Sequence, residues 1–273
     1  MKKITRIAAI VALLSLCCNA ASASTTLPLN TGYNHSVFAP YAVGAQDNYW
    51  INIASYPSAA YPPLPAPSWV VSPVGGWWTG PFPPPGGGWI NGRNTSASAP
   101  GVDASNPGYT IFRKCFCLLP GFKEARLRFT ARADNSLQVW LNTQLNQVLA
   151  PSVGNFGPGS PPLSAGTEKG FRTGKNCVYA LVEDQGGAMG FFMEGHVTAV
   201  GLLPTPAAGA AQSFAPCSCQ SGLTVGPATA VTRDGAVALG RERAPAVEED
   251  EQQVIDAIVK IAEARRVSRP RER

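Results

Sequence analysis

The residues of this chain best able to do chemistry are aromatic and amide side chains rather than catalytic groups. Six tryptophans, Trp50, Trp69, Trp77, Trp78, Trp89 and Trp140, are flat apolar plates of the kind that stack on a sugar ring. Trp140 is out of phase with Leu137, Val139 and Leu141. On a strand it therefore faces away from them, which makes it the best candidate for an exposed ring. Of the adjacent Trp77 and Trp78, one is expected to be buried and the other less so; Trp50 and Trp69 are expected to fill the core or cover loop ends. Asp134, Asn135 and Asn142 could orient sugar hydroxyls or, with loop carbonyls, coordinate a structural calcium. The more ordinary role for Asp134 and Asn135 is simply to make a turn. The candidate ligand-binding set is thus Trp140, Trp78, Asp134, Asn135 and Asn142, with no catalytic and no metal set.

Catalytic patterns are thin. There are two histidines, His35 and His196. No Gly-x-Ser-x-Gly elbow, Walker loop, HExxH or EF-hand loop occurs. Glu183, Asp184 and Glu194 could flank a glycosidic bond, but solvated carboxylates are the more ordinary outcome. The reading is of a protein that is not an enzyme and uses no cofactor.

The elements that must position these residues are strands. Charged residues make up 14% of the 273, while there are 28 Gly and 25 Pro, a mix that suits an all-β chain with many loops. Arg126 to Ala133 alternates strictly, with Leu127, Phe129, Ala131 and Ala133 on one face. Asp134-Asn135-Ser136 turns the chain, and Leu137, Val139 and Leu141 return to the core face. Further strands are expected at 48–54, 68–71, 109–118, 176–183 and 188–200, with a turn at Pro120-Gly121 and a Gly/Pro loop at 151–166. Residues 30–201 are expected to form an antiparallel jelly-roll β-sandwich. Residues 202–245 read as an Ala/Gly/Pro-rich linker and 246–267 as an amphipathic helix. Its apolar stripe is Val247, Val254, Ile258 and Ile261. That helix packs on its own domain or, alternatively, joins a partner or a second copy.

Residues 1–23 read as a cleavable signal peptide: Lys2, Lys3 and Arg6, an apolar run from Ile7 to Leu16, then Ala21-Ser22-Ala23. Its removal takes three positive charges from a formal balance of +5, leaving too little charge to suggest nucleic acid. No other segment is apolar for long enough to span a membrane. Secretion or a periplasmic location follows, and in such compartments cysteines form disulfides. The candidates are Cys115, Cys117, Cys177, Cys217 and Cys219. Cys115 and Cys117 are two apart on a strand, roughly 7 Å, too far for an easy bridge to each other. Cys177 suits one of them. Zinc held by the two Cys-x-Cys pairs is the lesser alternative.

Several stretches together resemble a known family. Gly76-Trp77-Trp78-Thr79-Gly80-Pro81 is similar to its Trp-containing segment. Tyr109 to Arg113 with Leu119-Pro120-Gly121-Phe122 is similar to a strand and turn. Ala133-Asp134-Asn135 through Leu141-Asn142 is similar to its most regular motif, and Asn176 to Val182 with Gly186-Gly187 and Met189-Gly190-Phe191 to its closing hairpin. In that order they resemble the galactose-binding-like jelly-roll domain of exported bacterial proteins, the type often followed by a PEP-CTERM sorting tail. No such tail is recognisable in Ser268 to Arg273. The resemblance implies a noncatalytic sandwich that often recognises carbohydrate. The expectation is an exported protein that binds an extracellular glycan. The competing expectation is a structural or assembly protein of the envelope or matrix, joined through the terminal helix and a sheet edge.

Overall fold

The computed structural model describes residues 24–35, 37–80, 87–142, 150–153, 155–203 and 247–268. The expected leader, most of the expected linker, and Cys217 and Cys219 lie outside the described residues. Among the described residues the chain is all-β with one C-terminal α-helix. Its strands are β1 (Ser24–Pro28), β2 (Tyr33–Asn34), β3 (Ala39–Pro40), β4 (Gln46–Tyr56), β5 (Ala66–Val70), β6 (Ile90–Asn91), β7 (Gly108–Asp134), β8 (Ser136–Leu141), β9 (Ala150–Val153), β10 (Leu163–Thr167), β11 (Gly174–Asp184) and β12 (Gly190–Leu203). The helix is α1 (Val247–Ser268).

Strands β4, β5, β6, β12 and β7 pair edge to edge into a closed five-strand barrel, and every one of the five pairings is antiparallel. An odd ring of antiparallel neighbours cannot close on straight strands, so a long strand must bend. The 27-residue β7 does so. Its first half lies between β4 and β11, and its second half between β12 and β10. Between Leu118 and Lys123 the ladder with β12 skips, as in a large bulge. Pro120, which has no N–H to donate, falls in this gap. Gly121 there takes φ 77° and Glu124 φ 54°, a left-handed conformation that glycine adopts without a Cβ clash.

Three expectations are corrected here. Pro120-Gly121 does not separate two strands, because β12 stays paired on both sides of it. Asp134 to Ser136 does turn the chain, but β8 is not a hairpin partner of β7. Opposite 127–134 β7 already has β12 on one edge and, over 127–131, β10 on the other, so β8 pairs with β11 and β9 instead. The span 151–166 is not all loop, since β9 and β10 form short edge strands there.

The alternation seen in the sequence builds the core. Leu127, Phe129, Ala131 and Ala133 of β7 meet Leu137, Val139 and Leu141 of β8, Val178, Ala180 and Val182 of β11, and Phe191, Met193, Val197 and Ala199 of β12, all buried in one cluster. Each such side chain contributes roughly 1.5–3 kcal/mol on leaving water. Ser136, Gln138 and Trp140 are buried as well, and Trp140 belongs to an outer-face cluster that α1 shares with β4, β7 and β11. Val254, Ile258 and Ala262 of the helix pack with Tyr109, Ile111, Trp140, Cys177, Tyr179 and Leu181. The buried stripe thus runs i, i+4, i+8 and takes Ala262 where Ile261 was expected; Ile261 is only partly buried. Arg265 Nη1 reaches Glu183 Oε1 at 3.7 Å, and the Arg266 guanidinium lies 4.4 Å from the Tyr56 ring centre. The helix docks on its own domain.

Cys115 and Cys177 stand directly opposite each other on β7 and β11 and form a disulfide. It ties together residues 62 apart in the chain, a constraint that typically stabilises by about 2–4 kcal/mol. Cys117 is also disulfide-bonded.

Candidate functional site

The outer face of β5, β6 and β12 carries the feature that best fits a binding site. Along these strands Val70, Ile90 and Phe191 point into the core. Their neighbours Trp69, Trp89 and Phe192 must then point outward. There they gather with Val71 and with Trp77, Trp78 and Phe156 from the connecting loops. Four of the six tryptophans belong to this one cluster. Trp77 and Trp89 are tilted against each other with ring centres 4.4 Å apart, and Trp78 lies 5.2 Å from Phe192. Trp77 and Trp89 are buried, whereas Trp69 and Trp78 are partly exposed at the surface of the cluster. A Cβ at Gly190 would collide with the Trp77 ring, so glycine is needed for the indole to lie on β12.

Polar groups fix these rings. Trp77 Nε1 donates to Asp134 Oδ2 at 2.7 Å, and Trp89 Nε1 donates to the Trp78 carbonyl at 2.9 Å. The Arg132 guanidinium lies 5.0 Å from the Trp78 ring centre, within cation–π range. Arg132 Nη1 also donates to the carbonyls of Asn155, Gly157 and Ser160, at 3.0, 2.8 and 2.8 Å. Asn155 accepts from the Ala133 amide and donates to the Ala131 carbonyl, both at 2.9 Å. The segment from 155 to 160 is thereby held against β7 beside Trp78, whose amide donates to the Phe156 carbonyl at 2.8 Å. Farther along the same face, Thr130 Oγ1 donates to Glu194 Oε1 at 2.9 Å, and His196 is exposed.

The five expected ligand residues do not form one site. Trp140 does face outward from β8, but it is 0% exposed beneath α1, and its ring is not offered to solvent. Asn142 is buried at the other end of β8. Its side chain donates to the Gly170 carbonyl and to Asn176 Oδ1 and accepts from the Cys177 amide, each at 2.8 Å; these bonds take up its side chain at a chain corner with φ 54°. Asn135 donates to Asp134 Oδ1 at 2.7 Å and accepts from the Gln185 amide at 2.6 Å. Asp134 and Asn135 therefore brace the turn and Trp77. Trp78 alone of the five is an aromatic plate with access to solvent. Trp69, expected to pack in the core or over loop ends, joins it at the surface of the cluster.

Two further polar groups lie deep in the fold. Burial, with the Asp184 charge adding to it, pushes the Asp134 carboxyl up to about 6 against the opposing Trp77 hydrogen bond. Asp184 is raised by burial too, and accepts from Ser98 Oγ at 2.6 Å and the Gly186 amide at 2.9 Å. On the core face of β7, between Phe112 and Phe116, lies Lys114, fully buried and missed by sequence reasoning. Its Nζ is 2.6 Å from His35 Nε2. Burial lowers the amine to about 7, against the pull of Asp47. Burial and Lys114 lower His35 to about 2, so the imidazole is neutral and Nε2 accepts from the lysine. Asp47 in turn accepts from the amides of Gly32, Tyr49 and Trp50.

Glu183 and Glu194 do not face each other: the first meets α1, the second lies on the aromatic face with Thr130. Among the described residues no group of three or more His, Cys, Asp or Glu side chains is placed to hold a metal ion. No described helix is long and apolar enough to cross a membrane. The chain matches no protein-family model, no curated protein and no solved structure.

Proposed function

We propose that this chain is an exported, noncatalytic binding protein whose ligand is an extracellular carbohydrate. In this reading residues 1–23 are removed on secretion, and the barrel and its flanking strands are a variant of the jelly-roll sandwich. The ligand lies across the outer face of β5, β6 and β12. The observation that carries the reading is the convergence of Trp69, Trp77, Trp78 and Trp89 in one cluster with two rings left partly exposed. Aromatic plates with a few polar groups beside them suit the apolar faces and hydroxyls of a sugar. Here the polar groups are Thr130, Glu194 and His196 on the same face. The competing assembly role loses its main support, because the apolar stripe of α1 is used on the protein's own sheet.

The test is a glycan panel with Trp69→Ala and Trp78→Ala, and Trp140→Phe as the control under the helix. The expected result is that each of the first two weakens binding at least fivefold, that the control binds as wild type, and that the bound glycan is recovered uncut. Absence of binding to any glycan, or new reducing ends released during incubation, overturns the proposal.

A further inference from the structure

We infer that the aromatic face continues into an anion-reading groove and that the bound glycan is a polyuronate, a polysaccharide whose rings bear carboxylates. This rests on the carbohydrate reading above and names the class of sugar. Arg126, Arg128, Thr130 and Arg132 share the outward face of β7. Successive members are about 7 Å apart along the strand, so Arg126 lies roughly 20 Å from Arg132 and the Trp78 ring beside it. A linear chain of several sugar rings spans that distance.

At the far end of this row is an open groove of about 370 Å³, lined by Phe122, Lys123, Glu124, Arg126, Glu168 and Phe171 among others. Lys123 and Arg126 line it with Glu124 and Glu168; Arg128 and Lys169 are exposed beside it, and Glu194 lies farther along the row against Thr130. One oxygen of Glu168 serves two guanidiniums, Arg126 Nε at 3.5 Å and Arg128 Nη2 at 3.3 Å. Both arginines are more than half exposed and keep donors turned to solvent. They already hold a carboxylate, and along the whole stretch Lys123, Arg126, Arg128 and Lys169 outnumber Glu124, Glu168 and Glu194. That is the complement of a carboxylate-bearing chain rather than of a neutral one. Gly166 makes the arrangement possible. Opposite Arg128 on β10, it has no Cβ, and one built there would come within 3 Å of the Arg128 side chain. The guanidinium can therefore lie across β10 toward Glu168.

The groove and the tryptophans play separable parts. The rings stack on any sugar of suitable shape. The arginine row selects for carboxylates and makes binding dependent on salt.

The experiment measures affinity of the full chain for polygalacturonate, for a neutral galactan of similar length and for dextran sulfate. It compares the wild type with Arg126→Gln/Arg128→Gln and with Trp78→Ala. The expected result is tighter binding to polygalacturonate than to the other two. That binding should fall at least tenfold between 50 mM and 500 mM salt and at least tenfold in the double arginine variant, whose two sites are on the surface and leave the fold intact. Galactan binding equal to polygalacturonate binding and indifferent to the arginine change overturns the polyuronate inference and leaves the carbohydrate reading standing. Equal binding to dextran sulfate, unaffected by Trp78→Ala, also overturns it, as a response to any polyanion. Absence of binding to all three overturns it, and the carbohydrate reading is then decided by the wider panel.

Discussion

The Arg132 guanidinium, 5.0 Å from the centre of the Trp78 ring, is also the donor to three backbone carbonyls of the 155–160 segment. One side chain therefore sets both the tilt of the exposed ring and the position of the loop that flanks it. Arg132→Met is expected to lose about 2–4 kcal/mol in urea unfolding, since three carbonyls lose a charged donor. Arg132→Lys should recover only part of the loss, because its ammonium keeps a charged donor but lacks the planar fork that serves the carbonyls and lies against Trp78. Unchanged stability in Arg132→Met would show that the clamp is not needed.

Trp140 shares its buried cluster with α1, apart from the barrel core, and that makes the helix removable in principle. The helix meets the domain along Val254, Ile258 and Ala262 and through the Arg265–Glu183 pair. The barrel core is a separate cluster. Deleting 247–268 should leave the β-type circular dichroism in place and shift Trp140 emission to the red, read as the difference from the same deletion carrying Trp140→Phe. Ile258→Ala should weaken the docking by about 2–4 kcal/mol. If the truncated chain shows no strand signal, the helix is part of the core and not a cover.

This relationship shows where the sequence was legible and where it was not. Leu127 to Ala133 and Leu137 to Leu141 could be placed because a buried face repeats every second residue within one segment. Trp140 was placed on the correct face but in the wrong surroundings, since its cover lies more than 100 positions later in the chain. The aromatic cluster was hidden for the same reason. Trp69, the Trp77-Trp78 pair and Trp89 come from three separate segments, and the closure of the barrel through β5, β6 and β12 unites them. Lys114 is not legible because both faces of Ile111 to Phe116 are apolar enough to bury, so a polar residue there gives no sign of which way it points. The bend of β7 looks like a turn in the sequence because Pro120-Gly121 ordinarily marks one.

Lys114 supplies a test in alkali. Its amine is lowered to about 7 by burial, opposed by Asp47, while neutral His35 accepts from it and the Tyr49 and Trp50 rings lie within 6 Å. The unfolded chain keeps that proton up to about 10.5. Between these values the unfolded state binds the extra proton, so stability rises with pH across this window and the penalty is full below about 7. Urea midpoints for the wild type should climb from pH 7 to pH 10, and Lys114→Met should flatten the climb. At pH 7 it should be less stable than wild type, because Met leaves the buried His35 Nε2 without its donor and the buried Asp47 without its nearby cation. An equal slope in both proteins would place the titration elsewhere.

Asp134 gives the opposite slope in acid. Its carboxyl is raised from 3.8 to about 6, chiefly by burial and further by Asp184, against the hydrogen bond from Trp77. In this interval the folded state binds the extra proton. The contribution is therefore fully present below about 4 and is lost as pH rises through 6. Asp184 and Asp47, also raised by burial, act in the same direction, while the exposed Asp103, lowered by its bonds to Ser105 and Asn106, acts against them. Asp134→Asn keeps an oxygen for the Trp77 indole but removes the ionisation. It should reduce the fall in stability between pH 4 and pH 6 by about 2 kcal/mol, with the emission of the aromatic cluster unchanged. Asp134→Ala, which leaves Trp77 Nε1 without its acceptor, should instead lose about 1–3 kcal/mol at every pH and shift that emission. If Asn and Ala behave alike, the indole bond contributes nothing measurable, and Trp77 is held by packing against Trp89 and Gly190 alone.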